Sequence, residues 1–117
     1  MTGATGYIGG RLLARLERDR VHRVRCLTRR RAALASRIDE STEIVVGDVL
    51  VPDSLARSMI GVDSAYYLVH SMYGRGDFSE LDRAGARNFA AAARAAGVKR
   101  FVYLGGLGTG RGLWWSI

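Results

Sequence analysis

What this 117-residue chain lacks narrows its class before any motif is read. It has a single cysteine, Cys26, so no internal disulfide can form and a disulfide-stapled secreted scaffold is excluded. A reducing cytoplasm is the expected location. Proline is confined to Pro52, and no linker or internal repeat interrupts the chain. No stretch reaches the roughly 18 consecutive apolar residues that a membrane span needs. The N-terminus has no basic segment followed by an apolar core, so it does not read as a signal peptide. No metal site is expected. Lysine is confined to Lys99, and arginine supplies the rest of the 18 basic residues behind a net charge of +7. A basic excess can serve nucleic acid or an anionic surface. Here the arginines are spread along the chain without a basic arm or interleaved aromatics, which argues against nucleic acid. Arg, Ala and Gly rise together, as a GC-rich coding sequence gives, and an anionic cofactor is a second reason for the charge.

Apolar residues make up 48% of the chain, enough for one modest globular core. The chain opens on Met1-Thr-Gly-Ala-Thr-Gly-Tyr-Ile-Gly-Gly10. Gly3, Gly6 and Gly9 stand at intervals of three before a helical pattern. Such a loop suits a dinucleotide pyrophosphate. One glycine makes the tight turn, one lets the backbone approach the phosphates, and one lets the helix pack close to the sheet. The first helical N–H groups and the dipole then face the anion.

The rest of the chain alternates between strand and helix patterns. Tyr7 to about Arg18 reads as a helix, with Ile8, Leu12, Leu13 and Leu16 on one side and Glu17 and Asp19 as surface charges. Val21 to Thr28 reads as a strand, and Ala32 to Arg37 as a short helix. Glu43 to Val46 reads as a strand, Pro52 to Met59 as a helix with Pro in its first turn, and Ala65 to Val69 as a buried strand. Ser79 to Ala96 is the clearest helix, with Ser79 as N-cap, Gly97 as terminator and a stripe of Phe78, Leu81, Gly85, Phe89, Ala92 and Ala96. Arg100 to Leu104 is a further strand. Residues 109–117 show no period and read as an irregular tail after a domain of residues 1–108.

Strand–helix units of this spacing predict an α/β fold, a Rossmann-type doubly wound parallel sheet with spatial order 3-2-1-4-5. Its central first strand is missing, because nothing precedes the glycine loop, and its second half is absent. Loss of a central strand predicts a gap of about 10 Å with unpaired backbone on both sides. The expectation is that the natural protein starts upstream, Met1 being a mis-called GTG start where a strand-ending Val suits, and that the tail reflects truncation or a frameshift.

Candidate site residues follow from the fold. The strand ending at Thr28 runs into Arg29-Arg30-Arg31, with no acid. At this place an acid binds the 2′-hydroxyl of NAD and an arginine accommodates the 2′-phosphate of NADP. Arg29, with Arg30 or Arg31 helping, therefore reads as an NADP determinant, against the alternative of a solvated charge run. Asp48 and the Val49 backbone meet the adenine, or Asp48 merely caps a turn. His70 follows a buried strand and is placed to touch cofactor or substrate, though a lone His is often structural. Asn88 is either a half-buried residue with a partner near a strand end or a rim residue in water. Cys26 reads as a small buried side chain.

Taken in order, Thr2 to Gly10, Arg25 to Arg29, Gly47-Asp48-Val49, Tyr66 to Met72, Arg87 to Ala90 and Phe101 to Gly108 resemble an atypical short-chain dehydrogenase/reductase of the NmrA-like, NAD(P)-binding group of actinobacterial type. That group is related to a nucleotide-binding accessory subunit of respiratory complex I. The resemblance implies a pyrophosphate wrapped by Gly3, Thr5, Gly6, Tyr7 and Ile8, with Gly9 in the same motif. It implies Arg29 at the 2′-phosphate, Asp48 and Val49 at the adenine, and Leu68, Val69 and His70 along the ribose and nicotinamide. Asn88 matches a helix Asn that supports the catalytic centre. Catalytic members carry a Ser after the fifth strand and a Tyr-x-x-x-Lys pair. Here Gly105 and Gly106 stand at the Ser position, and no Tyr precedes Lys99 by four. The implied function is an NAD(P)-binding domain of a hydride-transfer oxidoreductase, with NADP or NAD as cofactor and an unknown small-molecule substrate. The alternatives are a non-catalytic NADP-binding redox sensor or assembly module, or a non-functional gene fragment. Catalytic residues and oligomeric state are not legible.

Overall fold

A computed structural model describes residues 1–69, 77–104 and 114–116. Helix α1 spans Tyr7–Asp19, strand β1 Arg25–Thr28, helix α2 Ala32–Ala35 and strand β2 Glu43–Val46. Two 3-10 turns follow at Pro52–Ser54 and Ala56–Met59, then strand β3 Ser64–Tyr67, helix α3 Asp77–Ala95, strand β4 Arg100–Tyr103 and strand β5 Trp114–Ser116.

Strand β1 pairs parallel with β2, from Arg25 opposite Glu43 to Thr28 opposite Val46. Strand β3 pairs parallel with β4, from Ser64 opposite Arg100 to Tyr67 opposite Tyr103. Between the two pairs stands Thr2, bridged in parallel to both Leu27 and Tyr67. The Thr2 N–H donates to the Tyr66 carbonyl at 2.9 Å, and the Leu68 N–H to the Thr2 carbonyl at 3.0 Å. On the other side the Leu27 N–H donates to the Met1 carbonyl at 2.8 Å. The order is therefore β2, β1, the Thr2 stub, β3, β4, β5. This is the doubly wound order, with its central strand reduced in this chain to one bridging residue. The expected gap is closed at the level of Thr2.

Two apolar cores lie on opposite faces. Cys26 and Leu27, adjacent in β1, point to different ones, as the two-residue period of a strand requires. Cys26 joins Ala4, Leu13, Leu34 and Ile44 beneath α1 and α2. Leu27 joins Leu55, Met59, Tyr67, Phe89, Val98 and Phe101 beneath the 3-10 turns and α3. Cys26 is the buried small residue expected, and burial pushes its thiol up from its ordinary value. Arg25 ties one end of the sheet together: it pairs with Glu43 at 2.9 Å and donates to the Ser58 and Ile60 carbonyls at 3.0 and 2.7 Å.

Several expectations need correction. The first strand starts at Arg25, not Val21, because Arg20 ends α1 in the left-handed region at φ 53° and the chain has still to turn back. The segment from Pro52 to Met59 forms two 3-10 turns, not one α-helix. Helix α3 begins at Asp77, two residues before the expected cap at Ser79, and ends at Ala95, with Gly97 at φ 78° beyond it as the terminator expected. The apolar stripe of α3 runs through Phe89 and Ala93; Ala96 is exposed, and Leu81 is 49% exposed. Ile8 is 51% exposed, so the inner side of α1 rests on Leu13. Glu17 is no free surface charge: its carboxylate accepts the Asp39 N–H at 2.8 Å and the Thr42 hydroxyl, fixing the approach to β2. The tail expected to be irregular contributes β5, antiparallel to β4 with Val102 opposite Trp114. Among the described residues no helix is long and apolar enough to cross a membrane.

Candidate functional site: a cleft at the strand ends

The glycine turn, the loops after β1 and β2, the end of β3 and one side of α3 enclose a cleft of about 570 Å³. Of the residues read from sequence, it gathers Gly3, Thr5, Gly6, Arg29, Asp48, Val49, Leu68 and Val69.

The three glycines have separate physical reasons. Gly3 sits at φ 95°, where a side chain is strained, and a Cβ there meets the Leu68 carbonyl carbon at 2.6 Å and the Val69 nitrogen at 2.9 Å. Gly3 thus lets the turn press against the end of β3. A Cβ on Gly9 falls 1.9 Å from the Gly3 carbonyl oxygen, so Gly9 lets α1 pack onto the turn. Gly6 closes the turn by donating to the Gly3 carbonyl at 3.0 Å. A Cβ on Gly6 meets nothing nearer than 3.4 Å, so internal packing does not demand glycine there. The space at Gly6 belongs to the cleft.

Gly6 is also the N-cap of α1, without a side-chain cap, and the first turn has no acidic residue. The positive end of the helix is left uncompensated, which favours an anion. Tyr7, Ile8 and Gly9 do not line the cleft with side chains. Tyr7 is 71% exposed with the Arg11 guanidinium 4.6 Å from its ring centre, Ile8 is exposed, and Gly9 is buried.

After β1, Arg29 and Arg30 both line the cleft. The Thr28 hydroxyl accepts the Arg30 N–H at 3.3 Å and donates to the Arg30 carbonyl at 3.2 Å, which shapes the bend. Arg31 points elsewhere and donates to the Ile44 carbonyl at 3.3 Å. Of Arg30 and Arg31, only Arg30 lines the cleft.

After β2, Asp48 caps its own turn: one carboxylate oxygen accepts the Leu50 N–H at 2.8 Å. The Ser54 hydroxyl accepts the Asp48 N–H and donates to the Asp48 carbonyl, both at 2.9 Å. The turn-capping alternative is thus realised, and the capped turn also forms one wall. Asn88 donates from Nδ2 to the Val49 carbonyl at 2.8 Å. It is the half-buried residue with a partner, but that partner is the loop after β2.

Leu50, Asp82 and Tyr67 also line the cleft without having been singled out in the sequence, and Leu81, read there as part of the apolar stripe, lines it too. For Leu81 a signal existed: it stands a full turn before Gly85, near the helix start. Tyr67 is 1% exposed, and burial, with the Asp82 carboxylate adding to it, pushes its hydroxyl up to about 12. Among the described residues no cluster of His, Cys, Asp and Glu could hold a metal. His70, Gly105 and Gly106 lie outside the described residues.

The residues fit a dinucleotide: a cradle that only glycine leaves open, an uncapped helix end, two arginines at one side and a fixed turn for a flat base. The fold and cleft define a Rossmann-type dinucleotide-binding domain. The chain belongs to the NAD(P)H-binding family, whose model matches residues 3–116. Within it the chain is of the atypical short-chain dehydrogenase/reductase, NmrA-like kind. It is 35% identical over 109 residues to the ceramide reductase of Caulobacter vibrioides, covering 92% of this chain and 34% of that protein. It is 30% identical over 114 residues to a 3-beta-hydroxysteroid dehydrogenase of Mycolicibacterium neoaurum, covering 88% of this chain and 30% of that one. The crystal structure of Citrobacter sp. triphenylmethane reductase complexed with NADP(H) superposes with a TM-score of 0.73 at 28% identity, over 89% of this chain and 36% of that chain. The chain thus spans about a third of the length of the curated relatives it matches.

Proposed function

We propose that the cleft binds NADP(H) in preference to NAD(H), as the cofactor domain of a hydride-transfer oxidoreductase. The observation that carries the preference is Arg29 and Arg30 in the cleft wall at the end of β1, with no acid among residues 28–31. An acid there would hydrogen-bond a ribose 2′-hydroxyl and repel a 2′-phosphate. The pyrophosphate lies over Gly6 against the first amides of α1, to which Tyr7, Ile8 and Gly9 contribute N–H groups. The adenine meets the turn at Asp48 and Val49, and the ribose and nicotinamide side runs along Leu68, Val69 and His70. When bound, the cofactor supplies or accepts a hydride. The substrate is a small molecule, and the cytoplasm is where the protein works.

Titration of NADPH fluorescence tests this. Saturable binding, tighter for NADPH than for NADH, is expected. Arg29→Ala lowers NADPH affinity on the order of ten-fold, the loss of one charge-assisted contact to phosphate, and leaves NADH nearly unchanged. Equal affinity for the two cofactors would remove the role given to Arg29.

A second reading, a non-catalytic NADP-binding sensor or assembly module, is favoured by one feature: Gly105 and Gly106 stand where the resemblance implies Ser. Hydride exchange over a panel of carbonyl substrates separates the two. Turnover surviving mutation of every Tyr would show that the tyrosine mechanism is not in use.

A further inference from the structure

We infer that the outer edge of β2 is a self-pairing surface, fitted to a second copy of this chain and held shut by Arg31. This does not depend on the cofactor reading. Among the described residues no strand lies beyond β2, so it ends the sheet on its side. The Glu43 and Gly47 N–H groups donate inward, to the Val24 and Thr28 carbonyls, at 2.9 Å each. Peptide groups alternate in direction along a strand, so Ile44 and Val46 turn theirs outward. The run Ile44-Val45-Val46 is β-branched throughout, and Val46 is 50% exposed. An open edge of this composition is a template for another strand.

Local turns close this edge at both ends. Before the strand the Thr42 N–H donates to the Asp39 carbonyl at 3.0 Å, and after it the Asp48 N–H donates to the Ser54 hydroxyl at 2.9 Å. Between them Arg31 donates from Nη2 to the Ile44 carbonyl at 3.3 Å. Arg31 is exposed and, unlike Arg29 and Arg30, is not part of the cleft wall. Two copies joined edge to edge about a two-fold axis run antiparallel. When the axis passes through Val45, Ile44 of each copy faces Val46 of the other and exchanges both backbone bonds with it. Each exchange needs an Ile44 carbonyl, the acceptor that Arg31 already holds. Pairing would also bring a guanidinium from each copy against the same short ladder and take both out of water, which is costly without a carboxylate beside them.

The test is sedimentation velocity of the whole chain over a concentration series, with Arg31→Ala and Arg31→Met beside it. Methionine keeps most of the stem and removes the charge and the donors, so it serves where alanine disturbs the fold. The expected result is that the variants shift toward twice the mass of the parent chain as concentration rises, while the parent does not. Val46→Pro added to either variant should abolish the shift. The Val46 N–H faces outward, so proline removes the donor that pairing needs and no bond of the β1–β2 ladder. Variants that sediment as the parent does would overturn the assignment, as would an association that survives Val46→Pro. A drop in NADPH affinity without any association would place Arg31 at the cofactor and overturn it as well.

Discussion

The Asn88 side-chain amide of α3 donates to the Val49 carbonyl of the loop after β2 at 2.8 Å, joining residues 39 apart in sequence. This bond fixes the wall of the cleft where the adenine is proposed to lie. Asn88→Ala leaves the carbonyl without its partner and should cost about 1–2 kcal/mol of stability, read as a lower urea midpoint with an unchanged slope. NADPH affinity should fall several-fold as the loop loosens. Asn88→Asp should be worse than Ala, since it sets a carboxylate oxygen against a carbonyl oxygen.

Gly6 and Gly9 should respond to alanine in opposite ways. At Gly9 the new Cβ lies 1.9 Å from the Gly3 carbonyl, so α1 or the turn must shift. The cost is about 3 kcal/mol or more, at the upper end of overpacking, seen as a large drop in melting temperature or failure to fold. At Gly6 the nearest atom is 3.4 Å away, and φ is an ordinary −80°. Gly6→Ala should keep its melting temperature within a few degrees while NADPH binding falls by an order of magnitude or more, as the methyl enters the space proposed for the pyrophosphate. Equal effects of both substitutions on melting would count against this division of roles.

Tyr67 makes stability depend on pH in the alkaline range. Its hydroxyl is pushed up to about 12 in the fold, from 10 in the unfolded chain. The fold favours the neutral phenol, so this contribution is complete below pH 10. It declines between pH 10 and 12, as the unfolded state ionises first. A phenolate absorbance step near pH 12 should move to near 10 on unfolding and vanish in Tyr67→Phe. That variant should also lose less stability than the parent chain across the same range.

The local grammar of the chain was legible because it depends on near neighbours. The spacing of Gly3, Gly6 and Gly9 follows from one turn meeting one helix. The four-residue strand Glu43–Val46 and the stop of α3 just before Gly97 follow from short-range apolar period and backbone preference. The absence of an acid after Thr28 is a plain reading of four residues. The boundary errors lie where local signals are weak: Val21 has the composition of a strand but follows a helix end at Arg20.

What the tertiary structure decided depends on segments far apart in sequence. Arg29, Arg30 and Arg31 look alike, yet two enter the cleft and one turns to the Ile44 carbonyl. Leu81 reads as a core residue until the fold leaves it exposed on the cleft wall. Asn88 reads as an edge residue until the loop after β2 arrives beside it. The opening of the chain shows the division most clearly. Its sequence determines a dinucleotide turn, because glycine alone fits the backbone positions of Gly3 and Gly9 and leaves the space at Gly6 open. That Thr2 also joins the two halves of the sheet was decided by the fold, because a β-bridge exists only where two other strands have already been brought to either side of it.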